Sequence, residues 1–282
     1  MRNSDTQRFA NRRVKYQVKK SGWILYYGED LKKNKRFVEI VTNTLEKENI
    51  QVKVIVLDDT NMGELLKKES PDFVINRSRN YKVAKVLENK GIRVFNNATV
   101  TEIANDKEKT YEFFKNEISF MPILKSTTKD FPFVMKSCSG HGGTQVYFIE
   151  NEMQLENAKK ELKDQKYLCQ EFCNEPGKDL RVYVINKEIV VAMLRQAESG
   201  FKSNYSLGGS AEIYQLSEKE KKVVYKIVEK LNMDYVGIDF IFHNHKIMLN
   251  EIEDAVGARM VYENTDINIL ERFAMYAAKE ME

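Results

Sequence analysis

Three acids near the end of the chain are spaced for work on a cation: Asp239 in the run YVGIDFIF, and Glu251 and Glu253 in LNEIED. Residues 251 and 253 stand two apart on a predicted strand, so their side chains share one face about 6.6–6.8 Å apart. Asp239 lies on the strand before. A hairpin closing with Phe242 opposite Lys246, over the three-residue turn His243-Asn244-His245, sets residue 239 opposite residue 249 and on the same face as the other two. A register one residue different sends it to the other face. Three carboxylates on an otherwise apolar strand pair repel one another and lose hydration unless cations or bases compensate. Hard oxygen ligands of this kind, joined by phosphate oxygens, suit magnesium. The plainer reading is an acid-decorated strand end in water.

A second patch carries the complementary charge. Residues 133–146 read FVMKSCSGHGGTQV: a strand ending in Lys136, a turn holding Gly140, Gly142 and Gly143, then another strand. Glycine is scarce, 13 in 282 residues, so this clustering is informative. Glycine permits φ > 0 and close approach, so backbone N–H groups in such a turn can converge on a phosphate, with Lys136 and His141 beside them. The order of lysine, turn and strand is not that of a Walker motif, and an ordinary hairpin loop has the same composition. Asp179 and Arg181 open one predicted strand and Arg195 ends the next. Arginine's rigid fork of donors could hold charge developing on carboxylate or phosphate oxygens, although each arginine alone reads as a surface ion pair. The three scattered histidines make no zinc site and no Ser-His-Asp or Cys-His arrangement.

These side chains need elements to position them. Residues 23–27 (WILYY), 52–57, 72–76 and 92–95 read as strands separated by helical patterns, one carrying Phe37, Ile40, Val41 and Leu45 and another over 80–90. That alternation predicts a small doubly wound sheet over 22–97. From about Asn105 the pattern changes to strand pairs: 133–136 with 145–149, then a helix over 151–164 and a strand over 167–172. Strands 180–185 and 188–194 are joined by Asn186-Lys187, a two-residue hairpin turn. The polar, glycine-bearing stretch 198–210 predicts a mobile loop. Ser217-Glu218-Lys219-Glu220 is a capping box ahead of an apolar helical face, strands over 235–242 and 246–251 follow, and a last helix starts near Asp266.

Composition narrows the class. With 42% hydrophobic and 31% charged residues the chain is neither disordered nor fibrous. It lacks an apolar run of about 18–20 residues and an apolar N-terminal signal, so it reads as cytoplasmic, without a membrane partner. Cys138, Cys169 and Cys173 read as free thiols in a reducing compartment. Residues 1–20 hold seven of the 45 bases and one of the 42 acids, so the remainder is slightly acidic, which argues against nucleic-acid binding by the globular surface.

In chain order the sequence presents Asn105-Asp106-Lys107, Lys136 with its glycine turn, Gln170-Glu171-Phe172, Gly177-Lys178-Asp179-Leu180-Arg181, Arg195, Phe201-Lys202-Ser203-Asn204 with Gly208-Gly209, Asp239, and Glu251-Ile252-Glu253. This order resembles the ATP-grasp superfamily, and most closely its RimK-like carboxylate–amine ligases of the alpha-L-glutamate type, over about residues 98–280. The bases of residues 1–20 mark a basic arm over 1–21, read as a solvated or partly helical tail or else as a polyanion or oligomer contact; the resemblance implies a mixed α/β (α+β) chain with a doubly wound pre-ATP-grasp domain over 22–97. An ATP-grasp domain over 98–282 follows, its two antiparallel-sheet subdomains being 98–172, which bears the lid, and 173–282, which bears the metal and substrate sites.

The same resemblance implies that Lys107 and Lys136 bind phosphate and that Gly140, His141, Gly142 and Gly143 form the lid. Gln170, Glu171, Phe172 and Cys173 become the hinge against adenine, and Asp179, Lys202, Ser203 and Asn204 further nucleotide contacts. Asp239, Glu251 and Glu253 would hold magnesium or manganese, and Arg195, Arg181 and Arg259 would act on the transferring group. The sequence departs from the family pattern at Glu253, commonly asparagine, at Asp254-Ala255-Val256-Gly257 in place of Pro-Gly, and at Gln145 in place of a lid glycine. The implied reaction joins a carboxylate, such as that of glutamate, to the amine of a peptide or small acceptor through an acylphosphate. A non-catalytic ATP-binding module and a phosphotransferase are the competing readings, and the chain is compatible with a homo-oligomer.

Overall fold

The computed structural model describes residues 20–125, 127–140, 143, 145–198, 200–201 and 209–282. Its first unit runs β1 (Ser21–Tyr26), α1 (Gly28–Lys33), α2 (Lys35–Lys47), β2 (Gln51–Val56), α3 (Met62–Lys68), β3 (Phe73–Asn76), α4 (Tyr81–Glu88) and β4 (Arg93–Phe95). The strands form a parallel sheet in the order β2-β1-β3-β4. Its central strands are apolar without alternation because helices cover both faces. Phe37, Val41 and Leu45 make the buried stripe of α2. Asn80 caps α4 by accepting from the backbone N–H groups of Lys82 and Val83, and Gly91, at φ +77°, ends the turn behind it. The short helices α1 and α3 have too few apolar positions to declare themselves in the sequence.

The chain continues through α5 (Ala98–Ala104), α6 (Lys107–Phe114), β5 (Ile123–Leu124), β6 (Phe133–Ser137), β7 (Val146–Ile149), α7 (Glu152–Leu162) and β8 (Tyr167–Glu171). Strands β5-β8-β6-β7 form a four-stranded antiparallel sheet backed by α7. Next come β9 (Lys178–Ile185), β10 (Glu188–Gln196), β11 (Ser210–Ile213), α8 (Glu218–Lys230), β12 (Tyr235–His243), β13 (Lys246–Glu253), α9 (Arg259–Asn264) and α10 (Ile269–Glu280). These build a five-stranded antiparallel sheet in the order β11-β10-β9-β12-β13, with the capping box of Ser217 and Glu220 starting α8 beneath it. The stretch 198–210 falls largely outside the described residues; Ser210 opens β11, which the sequence does not announce.

The β12–β13 hairpin corrects the sequence-based register. His243 pairs with Lys246, so the turn is the two residues Asn244-His245, at φ +53° and +58°, rather than three. Positive φ at both positions is what a two-residue turn between twisted strands requires.

The parallel sheet and the five-stranded sheet share a core. Ile24, Tyr26, Phe37 and Phe95 pack with Tyr183, Tyr235 and Phe273, and α10 lies against α2. Helix α10, at the far end of the chain, therefore completes the first unit. Polar ties reinforce this junction. Asn96 accepts from the backbone N–H groups of Asp234 and Tyr235 and donates to the Tyr235 carbonyl, while Arg93 pairs with Asp234. Buried Arg77 donates to the Tyr26 hydroxyl and to the Ala255 and Val256 carbonyls, with its guanidinium 4.2 Å from the Phe37 ring centre. The start of β12 and the loop after β13 are thus anchored to a rigid neighbour. Among the described residues no helix is long and apolar enough to cross a membrane.

Candidate active site

An open cleft separates the two antiparallel sheets. On the four-stranded side, β6 presents Val134 and Lys136, alternate residues of one face, while Met135 points into the α7 core. Gly140, Gly143, Gln145 and Val146 continue this wall, and Gln170 to Cys173 form the back, where one sheet gives way to the other. On the five-stranded side the lining is Asp179, Ile241, Asn250 and Glu251, with Lys107 at the start of α6 and Phe201 closing one end. Phe172 and Phe201 belong to an aromatic group with Phe148, ring centres 4.4 to 6.0 Å apart.

Beside and beneath this lining the larger sheet carries a ladder of alternating charge. Across β9, β12 and β13, Arg181, Asp239 and Glu251 stand in one row, and Lys107 reaches Glu251 from α6 at 2.8 Å. Arg181 grips Asp239 through Nε and Nη2, each at 2.7 Å, and meets Glu253 through Nη1 at 2.8 Å. Arg195 joins Asp179 and also donates to Asp239 at 2.8 Å. Gly237, opposite Glu253, makes room for this network: a Cβ there would lie 2.7 Å from Val256 and 3.4 Å from the Arg181 side chain.

These contacts set the protonation states. Burial pushes the Asp239 carboxyl up, but Arg181 and Arg195 more than offset it and hold the group well below the usual carboxylate range. Glu251 is likewise raised by burial and brought below its ordinary value by Lys107. Lys136 is lowered to about 8, first by burial and then by Lys107. Lys107 also donates to the Gly140 carbonyl at 2.6 Å, and Lys136 donates to Asn250 Oδ1 at 2.8 Å.

The structure therefore brings Lys107, Lys136, Gly140, Gly143, Gln170, Glu171, Phe172, Cys173, Asp179 and Glu251 to one cleft. His141, Gly142, Lys202, Ser203 and Asn204 lie outside the described residues. Arg181, Arg195, Asp239 and Glu253 are not on the cleft lining; buried Arg195 and half-buried Arg181 flank Asp239. Arg259 is exposed on α9, beside Glu263, away from that lining. Sequence reasoning does not single out Asn250, Ile241 or Phe201 as site residues. Period-two alternation from Asp239 would have found Ile241, whereas Asn250 depends on a bulge with no sequence mark.

Magnesium suits the donor set in kind. Glu251 and Glu253 each commit one carboxylate oxygen to a base and have no partner for the other among the described residues, while Asp239 commits both to arginines. Among the described residues the trio does not form a preformed cage with ligand atoms within 4.8 Å of one another. Magnesium asks for less, since it commonly takes one or two carboxylates together with phosphate oxygens and water.

Comparison with known proteins agrees with this geometry. The family model described as RimK-like ATP-grasp domain matches residues 77–276. An uncharacterised protein of Mycoplasma genitalium is 28% identical over 271 residues, spanning 91% of this chain and 92% of its own. A probable alpha-L-glutamate ligase of Pasteurella multocida is 31% identical over 153 residues, 53% of this chain and 49% of that protein. The fold is shared with D-alanine–D-alanine ligase from Bacillus anthracis complexed with ATP, at a TM-score of 0.72 and 14% identity, covering 93% of this chain and 100% of that one. With two antiparallel sheets closing on a lysine-lined cleft, the chain belongs to the RimK-like ATP-grasp family of ATP-dependent ligases.

Proposed function

We propose that the protein phosphorylates a substrate carboxylate with ATP and passes the acyl group to an amine, the donor being glutamate or another amino acid and the acceptor a peptide or small amine. The observation that carries this reading is one open cleft with Lys136 on one wall and the ion pair of Lys107 and Glu251 on the other. The ammonium groups hold the phosphate tail, and hinge residues 170–173 with Phe201 enclose the base. Glu251, with Glu253 beside it, would hold magnesium, which would supply charge neutralisation at the transferring group. Arg181 and Arg195 keep Asp239 ionised and fixed, so the site needs little reorganisation as charge moves.

A carboxylate oxygen of the substrate attacks the γ-phosphorus and ADP leaves. The amine then attacks the acyl carbon, phosphate departs with the oxygen it received, and an amide remains. Exclusion of water during turnover would protect the acylphosphate between these steps. The experiment is ADP release measured across a panel of amino acids and peptides, with mass spectrometry of the products. Turnover that needs both carboxylate and amine supports the ligase; a stable phosphorylated product, or ATP binding without turnover, contradicts it.

A further inference from the structure

Asn250 reaches the cleft through a backbone irregularity. A regular strand alternates faces, so with Leu249 in the core beneath the sheet, Asn250 would point up and Glu251 down. The bulge opposite Asp239 and Phe240 breaks that alternation: Asn250 and Glu251 both line the cleft, while Leu249 and Ile252 both lie in the core. Lys136 meets Asn250 from the facing sheet, Nζ to Oδ1 at 2.8 Å. An ammonium has donors only, so it must meet the amide oxygen, and this fixes which way the side chain is turned. The amide Nδ2 is left with two donors and no partner among the described residues, on a wall shared with the Lys107–Glu251 pair.

We propose that Asn250 is a nucleotide-binding residue: Lys136 orients it, and its Nδ2 donates to an oxygen of the phosphate tail. Lysine and amide then grip neighbouring oxygens from opposite sheets. This rests on the nucleotide reading of the cleft given above. The charged neighbours of Asn250 select the phosphate end of the ligand rather than the base.

Two variants separate this from a merely supporting role. Asn250→Asp keeps the oxygen that Lys136 meets and removes both donors, while Asn250→Leu removes donors and acceptor alike. Donation to phosphate predicts that both lose about tenfold or more in MgADP affinity by calorimetry, the scale of a hydrogen bond to a charged oxygen. Adenosine binding, followed by ligand-observed NMR, should be unchanged in both. Wild-type MgADP affinity in Asn250→Asp, or an equal loss for adenosine, overturns the proposal. If the unaltered protein fails to bind MgADP, the nucleotide reading falls and this inference with it; if it binds and the variants match it, the inference alone falls.

Discussion

Asp239 stands directly opposite Glu251 across β12 and β13, and both carboxylates are matched by bases from other strands and helices, Arg181 and Arg195 on one and Lys107 on the other. The pairing depends on the bulge, because an unbroken continuation of Phe240 opposite Leu249 would set Asp239 against Asn250. Glu251→Gln keeps the shape and removes the charge. Turnover should fall by about 10²-fold or more, the scale of losing one preorganised charge. Circular dichroism should show the fold retained, and unchanged ADP release would contradict the assignment of Glu251.

Lys136, lowered to about 8 by burial and by Lys107, gives nucleotide binding a pH dependence with a definite sign. The ammonium form binds phosphate. Below pH 8 the free protein already carries it; above pH 8 the proton must be taken up on binding. MgADP affinity should therefore fall by up to about tenfold per pH unit above 8, with proton uptake visible as buffer-dependent heats in calorimetry. Lys136→Arg should flatten the profile, and an equally steep fall in that variant would assign the titration to another group.

Arg195 is buried between Asp179 and Asp239, so Arg195→Met leaves two buried carboxylates short of a base. Removing one member of a buried ion pair typically costs about 3–5 kcal/mol. Urea unfolding at pH 7 should show a loss of that order. A loss under 1 kcal/mol at pH 7 would mean that solvent reaches these groups.

Arg77 anchors the loop after β13 through the Ala255 and Val256 carbonyls. Arg77→Met would strand those carbonyls and the Tyr26 hydroxyl at a buried junction. A loss of about 3 kcal/mol in unfolding free energy is expected from denaturant titration. Unchanged stability would show that Arg77 is not needed to hold the junction.

Much of this arrangement is legible in the sequence because it rests on local signals. Apolar and alternating runs give the strands, the capping box at Ser217 marks a helix start, and the Asn186-Lys187 turn reads directly from its length. The shared face of Asp239 and Glu251 is also read correctly, but from a register that the structure corrects. A longer turn and a bulge each shift pairing by a residue, so face alone does not distinguish them. The contact of Lys136 with Asn250, the packing of α10 on α2 and the gathering of Arg181 and Arg195 around Asp239 join distant segments, which spacing along the chain does not encode.

The transfer of an oxygen atom tests the central claim most directly. With the substrate carboxylate that supports turnover labelled with oxygen-18, the account predicts that each released inorganic phosphate carries one labelled oxygen, seen by the isotope shift in phosphorus NMR. Unlabelled phosphate released alongside amide product would show that no acylphosphate forms, and would contradict the account.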